Sequence, residues 1–111
     1  MSLDENIKNE IVNRITANLK VKDVILFGSY AYGKPHKDSD IDVIVVLDEH
    51  GFPKNFREKI NRRLKVSTLL FTMQQRFPMD IFVYTKDEWN KAIELNSSFI
   101  REVNLKGIRL L

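Results

Sequence analysis

Val24-Ile25-Leu26-Phe27-Gly28-Ser29 and, ten residues on, Asp40-Ile41-Asp42-Val43-Ile44-Val45-Val46-Leu47 are the stretches that decide how this chain folds. The first holds a short apolar run and the second a run of mostly β-branched residues, the composition of strands covered on both faces. Gly28 closes the first run, while the second opens on two carboxylates. Between them, Gly33 and Pro35 forbid any long regular element, so residues 29–39 read as a loop that opens with one helical turn.

Working outward, Ser2 and Glu5 have capping-box spacing, and Ile7, Ile11, Val12, Ile15 and Leu19 recur at helical spacing, which predicts a first helix ending near Lys20. After Gly51 and Pro53, residues Lys54 to Gln75 carry Phe56, Ile60, Leu64, Leu69, Leu70 and Met73 on a helical period among six basic residues. One long amphipathic helix is expected there. Pro78 precedes a third strand, Met79 to Tyr84. Thr85 with Glu88 repeats the capping-box pattern before a helix bearing Trp89 and Ile93, and a last helix follows Ser97 or Ser98 and stops before Gly107. Residues 108–111 could add a short strand. The predicted fold class is α/β (α+β), a small mixed sheet flanked by helices, in one domain over residues 1–111.

Composition narrows the chemistry. Without cysteine there is no disulfide framework, thiolate metal site or cysteine nucleophile, and His36 and His50 lie far apart in polar contexts. The start of the chain is acidic and no apolar run approaches the ~20 residues needed to cross a bilayer, so a cytoplasmic protein without a membrane partner is expected. A net charge of +3 does not demand a polyanionic partner. The basic run from Lys54 to Lys65 reads as the solvated face of its helix, since it lacks a series of exposed aromatics for base stacking, and nucleic acid is not the expected ligand.

Asp40 and Asp42 flank Ile41 at the start of the second strand. Alternation puts both carboxylates on one face about 6.6 Å apart while Ile41 turns into the core. Two such charges repel by roughly 2.5 kcal/mol at an effective dielectric near 20. A divalent cation removes that penalty, and Mg²⁺ accepts one or two carboxylates while leaving positions for phosphate. Asp80 begins the third strand and is the only charge in it. If the second and third strands pair in parallel, three acids converge, enough for two metal ions, with Asp80 nearest the nucleophile as candidate base. Gly28 at a strand end lets backbone N–H groups approach an anion, and Ser29 can donate its hydroxyl to a phosphate oxygen. Residues 28–35 almost spell a Walker A loop, but Pro35 stands where the Mg²⁺-binding hydroxyl belongs and disfavours helix at Lys34, so that reading fails.

Gly28-Ser29, ten residues, then Asp40-Ile41-Asp42, with a later strand carrying one Asp, resembles the polymerase-β-like nucleotidyltransferase superfamily, most of all its minimal stand-alone members, over roughly residues 1–85. The resemblance implies the nucleotidyltransferase fold, ATP or another NTP as substrate with two Mg²⁺ ions, metal ligands and catalytic groups at Asp40, Asp42 and Asp80, and phosphate contacts at Gly28 and Ser29. It also implies an antitoxin that works with a HEPN-domain protein and transfers AMP to a tyrosine on it. Tyr32 stands where members carry a basic residue, which shifts the expected phosphate contact to Lys34 or Lys37. So small a domain offers little acceptor surface, so the acceptor is expected on a partner protein or across a homo-oligomer. The alternative is a non-catalytic antitoxin that keeps the fold.

Overall fold

A computed structural model describes residues 3–33, 35–36 and 38–111. Its elements run α1 (Glu5–Thr16), β1 (Val21–Phe27), α2 (Ser29–Tyr32), β2 (Ile41–Leu47), α3 (Phe56–Leu69), α4 (Phe71–Arg76), β3 (Met79–Thr85), α5 (Lys86–Leu95), α6 (Ser98–Lys106) and β4 (Ile108–Arg109). The four strands form one mixed sheet in the order β3-β2-β1-β4. β1 is antiparallel to β2 and β4, whereas β2 and β3 run parallel, joined by the α3–α4 crossover.

Helices cover both faces of this sheet, which explains the unbroken apolar runs of its two central strands. On one face Val24, Leu26, Val43, Val45 and Ile81 pack with Ile11 and Ile15 of α1, Val66 of α3, and Leu70 and Met73. On the other, Ile25, Phe27, Ile44 and Val46 pack with Trp89 of α5 and with Ile100 and Val103 of α6. Each aliphatic side chain buried this way contributes about 1.5–3 kcal/mol relative to exposure. No helix among the described residues is long and apolar enough to cross a membrane.

Three local expectations need correction. The first helix is capped by Asp4, whose carboxylate accepts from the Asn6 N–H, and it ends at Thr16, four residues before Lys20; Ser2 lies outside the described residues. β1 starts at Val21, earlier than its apolar run, because Val21 and Asp23 still pair with Leu47 and Val46. The expected long helix is two. Leu70 leaves helical geometry at φ −104°, ψ 7°, and the Gln74 side-chain amide donates to the Ser67 carbonyl at 3.0 Å. The bend turns Leu70 and Met73 into the core, whereas Phe56, Ile60 and Leu64 of the same apolar stripe stay exposed.

The inward face of α3 instead carries Arg62, the one member of the basic run that leaves the solvated surface. Its guanidinium reaches Glu58 at 3.0 Å, Glu49 at 3.2 Å and Glu88 at 3.9 Å, joining α3 to the end of β2 and to α5. The predicted capping box at Thr85 and Glu88 is formed, and the Thr85 hydroxyl also donates to the Gly51 carbonyl at 2.6 Å.

Candidate active site

The parallel ladder between β2 and β3 sets Asp42 directly beside Asp80, and the antiparallel ladder sets Phe27 on the other side of Asp42. Alternation then places Asp42 and Asp80 on the face of the sheet that bears α5 and α6, near the strand starts and the end of β1. Ile41 is buried in the opposite face. Asp40 stands in the exposed residues just before β2, close enough that its charge acts on Asp42.

This crowding is visible in the acidity of Asp42. Partial burial, then the charges of Asp80 and Asp40, then a hydrogen bond shared with Asp80 push its carboxyl up to about 6. None of the three acids is in an ion pair among the described residues. Among those residues, also, no group of three or more acids or imidazoles is drawn together closely enough to hold a metal ion as it stands. The donor chemistry nonetheless fits a hard cation: two adjacent carboxylates, a third nearby, and negative charge without an ion-pair partner among the described residues.

Gly28 lies against this pair. It has φ +72°, a conformation other residues adopt at a cost, and a Cβ built on it would overlap Asp42 Oδ2. β1 therefore turns beside the carboxylates through a residue that only glycine suits. The next residue, Ser29, is the first of the helical turn α2, and Gly28, not Ser29, holds the cap position. Lys34 and Lys37 lie outside the described residues.

The two loop tyrosines anchor α2. Tyr30 packs on the α1 side of the sheet and Tyr32 on the α6 side. Burial raises the Tyr32 phenol, opposed by a hydrogen bond from the Gly28 backbone and assisted by the charges of Glu102 and Asp42. Lys106 Nζ stands 5.8 Å from the centre of the Tyr32 ring, so a cation lies beside this tyrosine. Sequence reasoning missed Lys106 because it lies more than seventy residues from Tyr32 and only the packing of α6 brings it near. His36 is exposed in the loop, with its ring nitrogen accepting from the Asp38 N–H at 3.3 Å.

With this geometry in hand, known proteins give it a context. The family model described as "Nucleotidyltransferase domain" matches residues 8–109. A protein of Methanocaldococcus jannaschii, provisionally named a protein adenylyltransferase, is 53% identical over 34 residues, a stretch that spans 31% of this chain and 34% of that relative. A solved toxin–antitoxin complex with AMP-PNP contains a chain superposing with a TM-score of 0.56 at 22% identity, over 94% of this chain and 72% of that one. A complex of a tri-AMPylated Shewanella oneidensis HEPN toxin with an MNT antitoxin gives a TM-score of 0.51 at 18% identity, over 97% and 72%. The structural likenesses establish a shared fold, and the profile over most of the sequence establishes descent: this chain belongs to the nucleotidyltransferase domain family.

Proposed function

We propose that the protein transfers AMP from ATP to a hydroxyl group on a partner protein, and that it serves as the antitoxin of a pair whose toxin is a HEPN-type helical protein. The observation that carries this reading is the pairing of Asp42 with Asp80 across parallel strands, with Gly28 held against Asp42. The AMP-PNP and AMPylated complexes among its structural neighbours support the choice of nucleotide and partner.

Asp40, Asp42 and Asp80 are the residues that would hold Mg²⁺. Such ions would neutralise the acids and polarise the phosphoryl oxygens. The Gly28 backbone and the Ser29 hydroxyl hold the triphosphate, with Lys34 and Lys37 as further phosphate contacts. Asp80, on the outermost strand, receives the proton of the acceptor hydroxyl. As the acceptor oxygen bonds to the α-phosphorus, the bond to the bridging oxygen breaks and pyrophosphate leaves. A tyrosine is the proposed acceptor.

The test is to incubate the chain with Mg²⁺, α-labelled ATP and a HEPN-type helical protein from the same source. Label on a partner tyrosine together with pyrophosphate release supports transfer. A tight complex without label would favour the non-catalytic antitoxin.

A further inference from the structure

The outer edge of β3 is open. Among the described residues this strand ends the sheet and pairs only with β2, so the backbone groups on its other side have no ladder partner there. Proteins normally guard such an edge with charge, proline or a bulge. Beyond Asp80 the strand reads Ile81-Phe82-Val83-Tyr84 with none of these, and its register with β2 is unbroken from Met79 to Thr85.

Beside that edge runs a groove of about 270 Å³, walled by Phe56, Lys59, Ile60 and Arg63 of α3 and by residues 81–84 of β3. The four helix residues follow the spacing that shares one face. Phe56 is 77% exposed, Ile60 40% and Phe82 42%. Phe56 and Ile60 belong to the apolar stripe of α3 that stays uncovered when the chain bends at Leu70. No carboxylate lines the groove. Glu49 and Glu58 are engaged by Arg62 on the inward side of the helix, and Lys59 and Arg63 are in no ion pair among the described residues.

We infer that this groove takes an extended segment of a second protein, added as a fifth strand on β3, with apolar and acidic side chains facing α3. Backbone pairing supplies affinity in such docking and the side-chain pockets supply selectivity. A second copy of this chain is the poorer occupant. Two-fold pairing of β3 with β3 brings both α3 helices onto one face, with four cations and no carboxylate between them. Nucleic acid would meet the cations but leave the strand's amides and the exposed aromatic and aliphatic groups without partners. Asp80 opens the same strand, so a docked segment passes beside the acids. Identifying that segment as the acceptor rests on the nucleotidyl-transfer reading, whereas the docking itself does not.

The test uses two labelled decapeptides, one alternating Val and Glu and one alternating Val and Lys, followed by fluorescence polarisation and by amide exchange of the full chain. The Val/Glu peptide is expected to bind at least tenfold more tightly than the Val/Lys peptide and to slow exchange at Ile81 to Tyr84. Lys59→Glu combined with Arg63→Glu should weaken it at least tenfold, and so should Phe56→Ser, a change at a side chain outside the core. Equal binding of the two peptides, no binding, or affinity unchanged in both variants overturns the inference. So does protection of residues 81–84 that grows with chain concentration alone, or displacement of the peptide by an oligonucleotide. Mg²⁺–ATP binding measured on the same variants should be unchanged, which separates loss of docking from failure of the nucleotide site.

Discussion

The α-carbon of Gly28 is packed against the carboxyl group of Asp42, so closely that a methyl group there would overlap Oδ2 and stand 3.0 Å from Cγ. The turn after β1 and the acid of β2 are thus a single fitted unit. Gly28→Ala should destabilise the protein by about 1–3 kcal/mol, combining the positive φ with displacement of Asp42. Adding Asp42→Ala should recover part of that loss, a coupling of roughly 0.5–3 kcal/mol measurable by urea denaturation of the two single variants and the double. Strict additivity would mean that the two residues do not press on each other.

Removing either paired acid should separate chemistry from folding. Asp42→Ala and Asp80→Asn are each expected to lower AMP transfer by about 10²–10³-fold or more, the scale of losing one electrostatic group at a reacting centre. Thermal stability should be unchanged or slightly raised, because each substitution relieves repulsion. Turnover at the wild-type level in either variant contradicts the assigned roles.

The upward shift of the Asp42 pKa fixes the sign of a pH effect. Its carboxyl titrates near 6 in the folded chain against an ordinary 3.8, so the folded state holds this proton more tightly than the unfolded one. The resulting contribution favours folding below about pH 4 and is lost as pH rises through 6. In chelator-containing buffer, Asp42→Asn should therefore match the wild type near pH 4 and exceed it by about 1 kcal/mol at pH 8, a value discounted for solvent screening of a half-exposed group. Denaturation at the two pH values checks this, and an equal difference at both would exclude the shift.

Thr85 joins three segments. Its hydroxyl accepts from the Glu88 N–H at 3.1 Å and donates to the Gly51 carbonyl, and its N–H donates to Glu88 at 3.0 Å, all in a fully buried position. Thr85→Ala should cost about 2–3 kcal/mol, the cap together with a buried carbonyl left unpaired. Thr85→Ser should retain most of that stability, and chemical denaturation distinguishes them.

How much of this was legible beforehand depended on whether the cause was local. β2 could be bounded to the residue because Ile41 to Leu47 is apolar apart from Asp42 and follows Asp40, and the α5 cap because its partners are three residues apart. Gly28, Ser29 and the three acids stood out through spacing and chemical type. The break at Leu70 did not, since neither glycine nor proline marks it and the burial of Met73 enforces it. Nor could a helical period reveal that Arg62 faces inward while Phe56 faces out, because periodicity gives the width of a stripe and not the direction in which it points. The early start of β1 was hidden for a similar reason: Asp23 is held there by Arg109, from the far end of the chain.

The ladder that sets Asp42 beside Asp80 also makes the chain unevenly tolerant of added length. A loop such as 48–55 can grow at small entropic expense. One residue inserted between Asp80 and Ile81 has a different result. If Ile81 to Thr85 keep their partners in β2, the acid moves one position back along the strand and points to the α1 side. Within this lineage, evolution should therefore tinker freely with connecting segments while the interval from the acid to Thr85 keeps a fixed count.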